Sequence, residues 1–136
     1  MTDLVVTASQ VKKGSTAELL HGTAASAITA GQACYQNSAG NYAPADADNT
    51  QATSEAKGIA INDAAADQQV TLVRKGLVTI GAAAAPVKGT IYVASGTAGG
   101  IAPSADLASG DWVVILGVGA ASNQIDVNIF TPGLQV

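Results

Sequence analysis

The feature of this sequence that most constrains its fold is a phrase that occurs twice. "GNYAPAD" begins at Gly40 and "GGIAPSAD" begins at Gly99. In each copy a glycine turn is followed by a large apolar residue, then Ala-Pro, then an aspartate. Glycine supplies the positive φ of a tight turn, and proline fixes its own φ and has no N–H to donate to a neighbouring strand. The phrase is therefore typical of a corner between β-strands and not of a catalytic motif.

The similarity extends beyond the phrase itself. Pro44 and Pro103 each lie 14 residues before a glycine that opens a β-like segment, "GIAIN" in the first case and "GVGAA" in the second. We infer that residues 28–73 and 86–129 are pseudo-repeats of one unit. Each unit consists of a hairpin, an Ala-Pro corner, a loop and two further strands.

The corner also makes predictions about individual side chains. The apolar residue before Ala-Pro, Tyr42 or Ile101, is expected to point into the core. The aspartate after it, Asp46 or Asp106, is expected to accept hydrogen bonds from backbone amides beyond the corner. Both expectations follow from turn chemistry alone.

Composition and spacing predict an all-β fold. The chain has 13 Val, 9 Ile and 15 Gly but only 4% aromatic residues. In "QIDVNIF", Ile125, Val127 and Ile129 alternate with polar residues, as in a strand with one solvent-exposed face. Short strands joined by glycine turns predict a small antiparallel β-sandwich or barrel, with helix limited to about one turn near residues 50–56.

Residues 1–27 differ from the β domain, residues 28–136, and we interpret them as an extended N-terminal arm. One short apolar stretch is followed by small and polar residues with little periodicity. Such a segment is either a frayed terminus or an arm that adds a strand to the edge of a partner's sheet. The second interpretation identifies candidate interface residues in the arm: Leu4, Val5, Val6 and Val11.

Trp112, the only tryptophan, is the remaining candidate interface residue. Tryptophan is favoured at the centres of protein interfaces. The alternative is that Trp112 is a core residue that closes one end of a barrel. The sequence leaves both interpretations open.

Charge and hydropathy exclude several classes of partner. The net charge is −4, and the six Lys and Arg are scattered rather than gathered into a stripe that would neutralise phosphates. We therefore expect no direct nucleic-acid binding. No apolar run approaches the roughly 18 residues of a membrane span, and the first residues lack the basic start and apolar block of a signal peptide. We expect no membrane association and no export.

Reactive groups are too few for an enzyme or a metal site. His21 and Cys34 are single residues of their type, whereas a zinc site needs three or four ligands and a nucleophilic pair needs an orienting third group. "DADN" lacks the glycine and glutamate of a calcium loop, and "LGVGAAS" lacks the third glycine of a dinucleotide loop, so we interpret the latter as a turn. We predict no catalytic residues, no metal and no cofactor, with Cys34 a small core residue.

Two stretches resemble bacteriophage capsid cement proteins, the small decoration proteins of tailed-phage heads: "KGIAINDAAADQQVTLVRKGLVTI" and "GTIYVASGTAGGIAPSADLASGDWVVILGVG". The first, with its Ala-Ala-Asp linker and its turn at Lys75-Gly76, is also similar to the lambda-type head decoration proteins. The resemblance covers roughly residues 28–130, and its elements are turn glycines and strands.

The resemblance implies a β-rich structural protein without enzymatic activity, made in the host cytoplasm and located on the outer surface of the virion capsid. It implies binding to the major capsid protein as a homotrimer or homodimer that bridges neighbouring coat subunits, with the N-terminal arm reaching onto the coat. The alternative is a surface-displayed β-sandwich adhesin or fibre module that binds host glycans. That function requires exposed aromatic side chains, and the chain has three Tyr, one Trp and one Phe.

Overall fold

The computed structural model describes residues 3–121 and 123–136 and shows an all-β protein with little helix, as predicted. One curled antiparallel sheet contains β1 (Lys12–Lys13), β2 (Glu18–Thr23), β3 (Ala33–Gln36), β4 (Tyr42–Pro44), β5 (Ala56–Ala60), β6 (Gln69–Thr79), β7 (Ile91–Ala94), β8 (Ile101–Pro103), β9 (Ile115–Ala121) and β10 (Gln124–Phe130). Helical turns are α1 (Gln51–Ser54) and three 3₁₀ turns, Ala8–Gln10, Ala82–Ala84 and Ser104–Asp106.

The strand order shows the same arrangement twice. From edge to edge it is β4-β3-β5-β6-β10-β9-β7-β8, so the second unit repeats the order of the first in the opposite direction. The corner prolines of the two units have equivalent cross-strand partners, since Pro44 lies opposite Cys34 and Pro103 lies opposite Tyr92. On the other side of its strand, Cys34 pairs with Gly58, and Tyr92 pairs in the same way with Gly117. Each of these glycines lies 14 positions after the corner proline of its unit. In both units the register shifts directly after this pair.

The strand β6 is longer than the sequence indicated. Lys75-Gly76 was expected to form a turn, but it lies inside a strand of 11 residues. Gly76 has a φ of 100°, and a Cβ there would lie 2.4 Å from the carbonyl oxygen of Thr16. The register with β2 shifts by one residue between Glu18 and Leu19, which places a bulge beside this glycine. The glycine thus bends a continuous strand instead of reversing the chain.

The turn expected over "LGVGAAS" is wrong for its described residues, whereas the β-like segment expected from Gly117 onward is confirmed. Gly117 and Gly119 lie within β9, which pairs with both β7 and β10. A Cβ on Gly117 would lie 2.2 Å from the Asp126 carbonyl oxygen, and one on Gly119 would lie 2.0 Å from that of Val87. These glycines are needed because neighbouring backbone approaches too closely for any side chain.

The N-terminal segment is part of the sheet, so the prediction of an extended arm over residues 1–27 is wrong for the described residues. Both β1 and β2 pair antiparallel with β6. Before them, the N–H of Leu4 donates to the carbonyl oxygen of Ile101 of β8 at 2.7 Å. After them, Ala24 forms a parallel bridge with Tyr42 of β4. The segment therefore links the central strand to both outer strands of the sheet.

The sheet has a buried core on each side of its first unit. Ala33, Ile59 and Val73 belong to the larger cluster, which continues into the second unit. The residues next to them in the chain, such as Cys34 and Ala60, belong to a smaller cluster on the opposite face. Alternation along each strand explains this division, since successive side chains point to opposite faces. The two corner residues predicted to point inward are indeed buried, Tyr42 in the smaller cluster and Ile101 in the larger one.

We expect Val11→Ala to destabilise the protein because Val11 is 8% exposed and belongs to the larger core, whereas Val5, at 67% exposed, is the matched control. Removing buried methyl groups from Val11 should lower the free energy of unfolding by about 1–2 kcal/mol, and Val5→Ala should change it by less than about 0.5 kcal/mol. Urea unfolding followed by circular dichroism measures both. Equal midpoints for the two variants would show that the N-terminal segment does not pack on the domain.

A second prediction concerns the close approach at β9. We expect Gly119→Ala to cost about 1–3 kcal/mol, because its methyl group would overlap backbone that has no room to move. Gly96→Ala is the control, since the nearest heavy atom to its Cβ is a side-chain atom of Asp48 at 3.2 Å. Thermal unfolding of the two variants should show a clearly lower midpoint for Gly119→Ala, and a midpoint no lower than that of Gly96→Ala would contradict the packing described above.

Candidate functional site

The four N-terminal interface candidates differ in how far their side chains are buried. Leu4 and Val6 are half-buried and pack against the larger core, and Val11 belongs to that core. The prediction that Val11 contacts a partner is therefore wrong, because its side chain is already buried within its own domain. Val5 is exposed and is the one of these four whose side chain is mostly open to solvent.

Trp112 is half-buried and lies between two other parts of the chain. Its backbone N–H donates to the carbonyl oxygen of Ala47 at 2.9 Å, and it forms an antiparallel bridge with Gln135. The neighbouring Val113 donates to the carbonyl oxygen of Leu134 at 2.8 Å. Trp112 thus helps to hold the C-terminal segment against the corner of the first unit, and its role at an interface stays a prediction.

A candidate interaction surface that the sequence analysis missed lies on the outer face of β7 and β9. Ile91 and Val118 are direct cross-strand partners and are 43% and 39% exposed, and Val87, in the turn before β7, is 62% exposed. We call the cross-strand pair Ile91 and Val118 the β7–β9 apolar surface. Val87 lies over Gly119, on the face opposite to that of the Val118 side chain, and is not part of this surface. Single exposed apolar residues are common on soluble proteins, but neighbouring ones mark interaction sites more often.

The turn that carries Val87 is held in place by hydrogen bonds. The backbone N–H of Val87 donates to the hydroxyl of Tyr92 at 2.8 Å, and the N–H of Thr90 donates to the carbonyl oxygen of Val87 at 3.1 Å. Gly89 and Thr90 also pair with the backbone of Gly119. The turn that leads into Ile91 is therefore ordered backbone and not a loose loop.

Further exposed apolar side chains lie near the C-terminus: Phe130, Leu134 and Val136. Backbone hydrogen bonds hold this segment as well. The N–H of Gly110 donates to the carbonyl oxygen of Val136, and the N–H of Val136 donates to that of Asp111, both at 2.8 Å.

A groove of about 560 Å³ opens between β5 and β10, where both strands approach β6. It is lined by Leu20, Ala56, Lys57, Arg74, Lys75, Asn128, Ile129 and Thr131, and we call it the cationic groove. Arg74 forms an ion pair with Glu18 at 2.8 Å, in which the two side chains are 49% and 48% exposed. Such an exposed ion pair contributes little stability, about 0–1 kcal/mol.

The reactive side chains singled out by sequence lie in unremarkable surroundings. Cys34 is buried, as predicted, and the loss of hydration raises the pKa of its thiol to about 12. His21 is exposed, with Nδ1 lying 3.1 Å from the Thr71 hydroxyl. Within residues 3–121 and 123–136, no three His, Cys, Asp or Glu side chains come together as a metal site would require.

The acidic corner of the first unit behaves as turn chemistry predicts. A carboxylate oxygen of Asp46 accepts a hydrogen bond from the backbone N–H of Asp48 at 3.0 Å, which confirms the expectation for that residue. The loop that follows leads into α1, whose start is capped by the side chain of Thr50. The equivalent hydrogen bond of Asp106 stays a prediction.

We expect the Cys34 thiol to resist modification in the folded protein, because only the thiolate reacts and burial keeps the thiol protonated. Ellman's reagent at about pH 8 should label it only after denaturation in guanidinium chloride. Since the thiol pKa rises from 9.0 to about 12 on folding, the unfolded chain loses its proton first, and stability should fall as the pH rises through that interval. Rapid labelling of the native protein would contradict this burial.

Comparison of the chain with protein-family models, with curated proteins and with solved structures found no match. In the part of the chain that the structure describes, none of the helices has the length and apolar character to cross a bilayer.

Proposed function

We propose that this protein is a structural decoration protein that binds the outer surface of a phage head as a homo-oligomer and stabilises the shell. The observation that carries the proposal is the β7–β9 apolar surface, a pair of exposed apolar side chains on hydrogen-bonded strands. The resemblance of two long stretches of sequence to capsid cement proteins supplies the kind of partner, the major capsid protein.

The energetics of a decorated shell suit such a surface. Burying apolar area is worth roughly 25 cal/mol per Å², so a few side chains provide only a modest free energy per contact. A capsid repeats the contact many times, and an oligomer that binds several coat subunits gains further from the linkage between its sites. A small, rigid protein with a weakly charged surface, 12% of residues being charged, fits this requirement.

Attachment through the sheet replaces the arm that the resemblance implied. The N-terminal residues are largely committed to their own sheet, so in this proposal the outer face of β7 and β9 makes the main contact with the coat. Val5 is exposed next to Leu4, whose backbone is hydrogen-bonded to β8, and its side chain is available for a secondary contact.

The alternative function, a glycan-binding adhesin or fibre module, receives less support. Sugar recognition relies on exposed aromatic faces, yet Tyr42 and Tyr92 are buried. Phe130 is the aromatic residue with the most exposed side chain among those described, and it lies at the end of β10, paired with Ile115 of β9. We therefore favour protein–protein contact over glycan binding.

The test replaces the apolar surface without disturbing the strands. Ile91→Thr/Val118→Thr retains the β-branched shape that strands favour but removes apolar contact area. We expect its affinity for heads that lack the protein to fall about tenfold, the equivalent of about 1.4 kcal/mol. Co-sedimentation measures binding, and the temperature at which decorated heads release their DNA measures stabilisation.

The matched control is Gln36→Thr/Gln69→Thr, which places threonine at two exposed strand positions away from this surface. It should bind and stabilise as the unmodified protein does. Heads that are equally heat-resistant with and without the unmodified protein would contradict the proposed function.

A further inference from the structure

We propose that the cationic groove binds an extended, acidic peptide segment of the shell protein. The groove and its charge are observed in the structure independently of any function. Only the assignment of the peptide to the shell protein rests on the function proposed above. The groove lies at the junction of β5, β6 and β10, apart from the β7–β9 apolar surface.

The charge of the groove is opposite to that of the molecule. Three of the chain's six Lys and Arg, namely Lys57, Arg74 and Lys75, line it, although the net charge is −4. Arg74 is paired with Glu18. Neither lysine forms a salt bridge with any residue that the structure describes, and both are exposed. A local excess of positive charge in a confined space attracts carboxylates.

The strand edges in the groove favour a peptide over a small anion. The pairing of β10 with β6 ends at Asn128, opposite Lys75, while β10 continues along β9 as far as Phe130. The edge of β10 that faces the groove therefore has no strand partner beyond Asn128. An open strand edge offers N–H and C=O groups that an extended peptide backbone can pair with.

The β5 side of the groove also has an open strand edge. The pairing of β5 with β6 begins only at Ile59, whereas Ala56 pairs with Tyr35 of β3 on the other side. The first residues of β5, Ala56 and Lys57, thus face the groove without a partner strand. Two open edges converge on Arg74, and this arrangement suits one inserted chain segment.

The other residues that line the groove indicate which side chains such a segment would carry. Leu20, Ala56 and Ile129 are apolar, and Asn128 and Thr131 offer an amide and a hydroxyl. In an extended segment successive side chains point to opposite sides. A sequence that alternates acidic and aliphatic residues would place carboxylates against the cations and methyl groups against the apolar wall.

The ion pair of Arg74 and Glu18 leaves the arginine available. Both side chains are about half exposed, so the pair is surrounded by water and is easily exchanged for another carboxylate. A bound peptide would extend the network to two carboxylates around Arg74, in a groove that Lys57 and Lys75 also line. The guanidinium group holds several N–H donors in a fixed plane and suits such shared recognition.

The direct test is a titration of the whole protein with a fluorescein-labelled peptide of about ten residues that alternates Asp and Val. Fluorescence anisotropy should show saturable binding that weakens at high ionic strength, and the matching Asn-Val peptide should bind at least about tenfold more weakly. No saturable binding of the Asp-Val peptide, or equal binding of both peptides, would overturn the proposal.

Paired charge variants locate the binding. Lys57→Gln/Lys75→Gln should weaken binding of the Asp-Val peptide about tenfold or more, whereas Lys13→Gln/Lys88→Gln, with the same change in net charge outside the groove, should weaken it less than about twofold. All four lysines are exposed, so both variants should give the circular dichroism and melting behaviour of the unmodified protein. Equal losses in the two variants would show that binding depends on net charge and not on the groove.

Inorganic phosphate tests the small-anion alternative. Under this proposal, phosphate displaces the peptide no better than chloride does at the same ionic strength. Displacement by phosphate at far lower concentrations than chloride would identify a general anion site and overturn the assignment to a peptide.

Binding to phage heads then separates this inference from the proposed function. Loss of head binding by Lys57→Gln/Lys75→Gln, with normal binding by the control pair, supports a shell segment as the occupant. Full head binding by the groove variant overturns that assignment while leaving the decoration function intact. Failure of the unmodified protein to bind heads overturns the decoration function, whereas the peptide titration still decides whether the groove recognises acidic segments.

Discussion

The structure depends on backbone hydrogen bonding along both edges of β6. Four strands pair with it: β2 and β5 with its first half, and β1 and β10 with its second half. The two pseudo-repeats are thereby joined through one strand, and the N-terminal segment is attached to the same strand. Each paired backbone group contributes only about 1 kcal/mol net, but an unpaired one that is buried costs more, so the pairing of a central strand is strongly enforced.

The bend in this strand also accounts for the position of the cationic groove. At the bulge near Gly76 the strand changes its neighbours, from β5 on one side of the bend to β10 on the other. Since β5 and β10 cannot both pair with the residues of the bend, a groove remains there, and it exposes Arg74 and Lys75. The same irregularity that lets one strand pair with both units leaves the cationic groove between β5 and β10.

The side chains that could contact a partner lie at the surface of the protein, whereas its one thiol lies in the interior. Its one thiol is buried and protonated, while apolar side chains that would ordinarily fill a core, such as Ile91 and Val118, face outward on a hydrogen-bonded sheet. Exposing apolar area carries a risk of aggregation unless a partner covers it. This distribution supports the proposed contact of the β7–β9 apolar surface with a protein partner.

The sequence by itself determined the β class, the internal duplication and the inward direction of Tyr42 and Ile101, because turn residues and the alternation of side chains act over a few positions of the chain. It did not reveal that residues 3–27 belong to the sheet, that Lys75-Gly76 lies inside a strand, or that Lys57 shares one groove with Arg74 and Lys75. Only the tertiary structure decided these points. Strand pairing, close backbone approach and charge clustering join residues that are distant in the chain, and local patterns carry no information about which strands become neighbours.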